Sequence, residues 1–115
     1  MTGKGKPEVW TDERCYVSEL VNDPAWPEFS LARCRVEPGV ATARHALSVH
    51  EVYLIQRGTG LMYLGDAAPF AVGPGDSVTI PKHVAQHIAN TGDSDLVFAC
   101  LCSPRFLQEC YTSLE

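Results

Sequence analysis

Apolar and polar positions alternate along this chain in short runs. From Phe29 to Val36, the residues Ser30, Ala32, Cys34 and Val36 share one side, and Leu31, Arg33 and Arg35 share the other. A two-residue period of this kind marks a strand with one buried face. Further strand-like runs are Arg14 to Val21, Thr42 to Leu47, Glu51 to Arg57, Gly60 to Leu64, Phe70 to Val72, Ser77 to Ile80, Ala85 to Asn90 and Leu96 to Cys102. The β-branched and aromatic bias of Val52, Tyr53, Leu54 and Ile55 strengthens the reading. Turn chemistry separates the runs at Asn22-Asp23-Pro24, at Gly73-Pro74-Gly75-Asp76 and at Asn90-Thr91-Gly92-Asp93. The pattern predicts a hairpin between the runs at Glu51 and Gly60, and another turning at Asn90. Only the last segment changes period. Phe106, Leu107 and Cys110 follow Pro104 at helix-like spacing, which predicts a short closing helix. Strands that recur roughly every eight to twelve residues without a long helix make an all-β sandwich or barrel. Residues 1–13, with Gly3, Gly5 and Pro7, read as a mobile or partner-draped arm, and residues 14–115 as the barrel.

Composition narrows the function. A chain of 115 residues is one domain, long enough for a core without staples. Its formal net charge is −5, and its basic residues are scattered, so no Lys/Arg stripe is available to a nucleic acid. No run has the length of a membrane span, and Met1 to Pro7 lacks the apolar core of a secretion signal. A cytoplasmic location is therefore expected. The five cysteines (Cys15, Cys34, Cys100, Cys102, Cys110) form no Cys-x-x-Cys pair, which points to reduced thiols. Cys100 and Cys102 share a strand face, either as small core residues or as a thiolate pair near a pocket.

Two stretches carry the chemistry. The first, GVATARHALSVHEVYLIQRG, runs from Gly39 to Gly58 and the second, GDSVTIPKHVAQHIAN, from Gly75 to Asn90. Gly39, His45, Glu51 and Gly58 stand at the spacings of the first motif of the cupin superfamily, and Gly75, Pro81 and Asn90 at those of the second. The chain resembles a small single-domain cupin. The resemblance implies a jelly-roll-like double-stranded β-helix barrel. Three positions depart from the pattern. Leu47 stands where the family has the second His of His-x-His, His83 where it has a Gly, and Gln86 where it has its last metal-binding His.

In the family the matching positions line the barrel and hold a divalent metal. Carried over, they give His45, Glu51 and Gln86 as the ligand set, for Zn, Ni, Mn or Fe. His50, His83 and His87 are the other imidazoles that could stand in for the missing ligands. Alternation puts His45 with Leu47, Glu51 with Tyr53 and Ile55, and Gln86 with Ile88 and Asn90 on inward faces, while His87 points outward. One imidazole, one carboxylate and one amide make a poorer site than a two-His-one-carboxylate triad. The other reading is a metal-free, hydrogen-bonded pocket with His45 and Glu51 as an acid–base pair and Tyr53 as a hydrogen-bonding group for substrate. Two functions follow. One is a metal-dependent isomerase, lyase or oxygenase-type enzyme acting on a small polar molecule; the other is a non-catalytic binding or sensing protein. No organic cofactor is expected. Arg33, Arg35 and Arg44 read as surface residues, with Arg44 beside His45 able to steer an anion.

The outward positions Val52, Leu54, Leu61 and Tyr63 read as one apolar patch across a hairpin. A patch of that kind marks an association surface, here a symmetric homodimer.

Overall fold

The computed structural model describes residues 3–115. Eleven strands appear in chain order: β1 (Val9–Trp10), β2 (Tyr16–Val21), β3 (Ser30–Val36), β4 (His45–Leu47), β5 (His50–Arg57), β6 (Gly60–Leu64), β7 (Phe70–Val72), β8 (Ser77–Ile80), β9 (Gln86–Asn90), β10 (Leu96–Ser103) and β11 (Tyr111–Ser113). They build two antiparallel sheets. One is ordered β1-β2-β3-β10-β5-β8, the other β11-β4-β9-β6-β7. The inward rows of both sheets meet in one core, in which Val36, Ile55, Met62, Ile88, Leu96 and Phe98 are almost fully buried. Each of these side chains sits one residue away from outward-facing neighbours, as the period of two requires. Among the described residues, no helix is long and apolar enough to cross a membrane.

The closing helix shrinks to one 3-10 turn, Gln108–Cys110, and the chain then continues as β11, paired to β4. Cys110 is buried and Phe106 partly buried against Leu47 and Cys102, but a strand delivers the rest of that segment. The segment read as an arm carries β1, which pairs with β2, and Lys6 donates its backbone N–H to Glu19.

Neither expected hairpin forms. β5 and β6 are consecutive in sequence and lie in different sheets, as do β9 and β10. The chain crosses between sheets at Gly58, which sits at φ +81; a Cβ there would fall 2.5 Å from the carbonyl oxygen of Asp95, so only glycine fits without displacing backbone. Asn90 holds the other crossing. Its amide donates to the carbonyls of Val36 and Ser94, and its oxygen accepts the N–H of Gly92. Two motif positions, Gly58 and Asn90, thus serve the sheet exchange itself.

The exchange also breaks up the expected apolar patch. Val52 and Leu54 face outward from the six-stranded sheet, whereas Leu61 and Tyr63 belong to the five-stranded one. What the outer face of the larger sheet does carry is a row in register, Leu31–Leu101–Val52.

Candidate functional site

The barrel interior holds a cavity of about 120 Å³. β4 and β5 bring His45, Glu51 and Tyr53 to it, and β9 supplies Gln86, which bonds Tyr53 and Glu51 without lining the cavity itself. His45 and Gln86 are directly opposite across β4 and β9. Glu51 and Tyr53 are inward on β5, and all four side chains are buried. The buried face of β10 adds Cys100 and Cys102, so the two thiols lie at the pocket and not merely in the core.

These groups form one hydrogen-bonded chain. The Tyr53 hydroxyl donates to Gln86 Oε1 at 2.7 Å, and Gln86 Nε2 donates to Glu51 Oε1 at 2.7 Å. The thiols of Cys100 and Cys102 donate to Glu51 Oε2 at 3.2 and 3.7 Å. Burial pushes the pKa of Tyr53 and of both thiols up. Tyr53 therefore stays protonated, with its proton committed to Gln86, and Cys100 and Cys102 are thiols, not thiolates. The Cys34 thiol donates to Cys100 Sγ at 3.8 Å, and all five cysteines are free.

His45 stands apart from this chain. Its Nδ1 lies 2.8 Å from the carbonyl oxygen of Ala43. A carbonyl only accepts, so Nδ1 carries the proton and, in the neutral ring, Nε2 offers a lone pair. Nε2 has no hydrogen bond within the protein. Yet among the described residues no buried side-chain nitrogen or oxygen is left without a partner, so Nε2 is open to the cavity that His45 lines.

Two further residues hold this imidazole. Glu13 Oε2 lies 3.8 Å from Nδ1, and burial raises the Glu13 pKa while His45 opposes the shift. Tyr111 stacks on the ring at a centroid distance of 5.0 Å and 16°. The sequence reading missed both. Glu13 sits where an arm was expected and Tyr111 where a helix was, and neither has a motif or a period that marks it.

The strand that brings Tyr111 is fastened at its end. Arg14 makes two 2.9 Å bonds to the Glu115 carboxylate, and the Arg44 N–H adds a third at 3.0 Å. These bonds, those from Arg14 first, lower the Glu115 pKa from 4.5 to about 2. A carboxylate depressed in the folded state favours folding above its unfolded pKa, and that favour fades as pH falls through the folded one. Carbon-detected NMR is expected to show Glu115 titrating near 2, and higher in Arg14→Gln, where the Arg44 N–H bond still holds it below its ordinary value.

The remaining imidazoles lie elsewhere. His50 is exposed and its Nδ1 accepts the Lys82 N–H. His87 stacks on Tyr63 outside the five-stranded sheet, at 4.2 Å between centroids. His83 is exposed at φ +70; it occupies the left-handed turn position where the family has glycine. Arg35 is salt-bridged to Glu8 and Asp95, while Arg33 and Arg44 are exposed.

The family pattern described as a cupin domain matches residues 32–102, the span from the inward face of β3 to that of β10. The chain is a cupin. Solved structures of the same shape include Streptomyces Pac13 with uridine bound, at 15% identity and a TM-score of 0.80 over 96% of this chain and 85% of that one. Pac13 is described as a nucleoside dehydratase. KdgF from a Halomonas species matches at 15% identity and 0.76, over 87% of this chain and 89% of its own. A cupin-like protein of Thermotoga maritima matches at 19% and 0.79, over 97% and 86%.

The cupin positions that hold metal elsewhere do not fit one in this chain. Leu47 offers no donor. The Gln86 amide is spent at both ends on Tyr53 and Glu51, and both Glu51 oxygens are taken. Among the described residues, no group of three or more His, Cys, Asp or Glu is placed to hold an ion. One open imidazole is too few donors for a stable divalent site.

Proposed function

We propose that this cupin binds a small polar molecule in the barrel and moves a proton on it with His45 as general base, without a resident metal. The observation that carries this reading is the open Nε2 lone pair, fixed by the Nδ1 bond to Ala43. A base held in one tautomer and aimed at a cavity is poised for abstraction. When Nε2 takes a proton, the imidazolium is met at Nδ1 by the Ala43 carbonyl and by Glu13 Oε2 at 3.8 Å. Tyr111 keeps the ring plane in place from its stacked position. Glu51, Gln86 and Tyr53 act as the rigid floor of the pocket in this scheme, since their donors and acceptors satisfy one another.

The shape shared with a nucleoside dehydratase suggests one reaction class. Loss of water from a hydroxylated carbonyl compound begins with removal of a proton from carbon, and isomerisation begins in the same way. The test is hydrogen exchange in D₂O, followed by proton NMR, on a panel of small hydroxylated carbonyl compounds. Exchange that depends on the protein and falls at least about a hundredfold in His45→Asn is expected for a general base. Ligands that bind without any exchange would instead favour the second reading, a binding protein without chemistry. That reading draws on the same closed Tyr53–Gln86–Glu51 chain, which leaves His45 without a second reactive partner.

A further inference from the structure

The polar atoms of the cavity are not evenly divided between donors and acceptors. Each side-chain donor that lines it is already committed inside the protein. The Tyr53 proton goes to Gln86, and the Thr42 hydroxyl donates to the carbonyl of Ile88. The Cys100 and Cys102 thiols donate to Glu51 and the Cys34 thiol to Cys100. Cys15 is the remaining case. Thr11 gives its one hydroxyl proton to the Cys15 carbonyl, so the 3.6 Å contact between their side chains takes the Cys15 S–H as donor.

What is left facing the space only accepts. His45 Nε2 is a bare lone pair on a side chain that is 3% exposed. Glu13 and Glu19 bring carboxylates, Glu51 brings one already engaged by Gln86 and the two thiols, and no Lys or Arg lines the cavity among the described residues. Glu19 is partly answered by Lys6 at 3.5 Å and by the Asn22 amide. Glu13 has no cation but His45, and then only when the ring is protonated. The walls between these groups are apolar or aromatic, with Val17, Leu47, Phe98 and Phe106 among them. At about 120 Å³ the space is well below the roughly 300–1,000 Å³ of drug-sized pockets.

We infer that the cavity recognises a small protonated amine, held by His45 Nε2 and the Glu13 carboxylate. The inference rests on the reading of the cavity as the binding site and adds the chemical class of its ligand. An ammonium group brings three donors and a positive charge to a place that has neither. A carboxylate or phosphate would add acceptors and negative charge where both are in excess, and like charges in a poorly solvated space repel strongly. A neutral alcohol satisfies one acceptor and leaves the others dry. The burial that raises the Glu13 pKa is the same lack of countercharge seen from the carboxylate's side, and a bound cation relieves it. The Phe98 and Phe106 rings suit a cation as well.

Three probes of nearly one size separate these cases: propylammonium with three donors, 1-propanol with one, and propionate with none. Each is titrated at constant ionic strength into the ¹⁵N-labelled full chain, with amide shifts of the strands carrying His45, Glu51 and Phe98 as the readout. The expected result is that propylammonium moves these amides at a Kd at least tenfold lower than 1-propanol, while propionate leaves them in place. Glu13→Gln, at a partly exposed lining residue, is expected to weaken propylammonium about tenfold and leave 1-propanol unchanged. Propionate or 1-propanol binding as tightly as propylammonium would overturn the amine inference but keep the cavity as a binding site. If no probe moves a cavity amide, both fall.

Discussion

Phe98→Ala is expected to remove about 3–5 kcal/mol of stability, the usual cost of deleting a fully buried phenyl ring. Phe98 is 1% exposed and sits on β10 between Cys34 of β3 and Ile55 of β5. β10 is a central strand with partners on both sides, so the hole has little freedom to collapse. Domains of this size hold roughly 5–15 kcal/mol in all, so the variant would lose from about a fifth to all of it. The melting temperature should drop by 10 °C or more on the order-of-magnitude scale for small domains. The site would loosen with the core. The Phe98 ring lies 4.4 Å from that of Tyr53 and forms part of the cavity wall, so Tyr53 would lose the neighbour that fixes its hydroxyl on Gln86. Urea unfolding measures the first effect. A loss under about 1 kcal/mol would mean that the two sheets do not close on this ring.

The second large effect is a gain. The double variant Leu47→His, Gln86→His is expected to take up close to one equivalent of zinc or nickel per chain, where the parent takes up little. Positions 45 and 47 are both buried on the inward side of β4, and 86 is directly opposite 45 on β9. With Glu51 facing them from β5 of the other sheet, the substitution puts three imidazoles and a carboxylate in the barrel interior. Imidazoles are the strongest neutral ligands for these ions. Freeing Glu51 from the Gln86 amide also returns a lone pair to the site. Elemental analysis of protein purified without a His-tag reads the result, and His45→Ala in the same background should abolish it. A folded double variant that stays metal-free would show that the four positions do not converge as the backbone places them.

How far the sequence reached can be seen at single residues. His45, Glu51, Tyr53 and Gln86 could be assigned to one interior because alternation fixes side as soon as a strand is placed, and the motif spacing fixed where the strands lay. Glu13 and Tyr111 could not be found that way. They meet His45 from segments 32 residues before it and 66 after it, and contacts of that separation leave no local period. The proton assignments were also beyond the sequence. Whether Gln86 serves as a ligand or as a hydrogen-bonded bridge depends on its being within 2.7 Å of both Tyr53 and Glu51.

The strand errors have a single source. Each run that reads as a strand is one or overlaps one, but consecutive runs were paired because neighbours in sequence usually pair. In this barrel the chain changes sheet at Gly58 and again after Asn90. Local turn chemistry looks the same whether the next strand folds back on its neighbour or crosses to the other sheet. The choice is made by the two layers closing over a shared core. The sequence by itself therefore determined the all-β class, the inward and outward faces and the family of the barrel. The tertiary structure decided which strands pair, which distant residues hold His45, and that Gln86 and Glu51 bond one another while one imidazole faces the cavity.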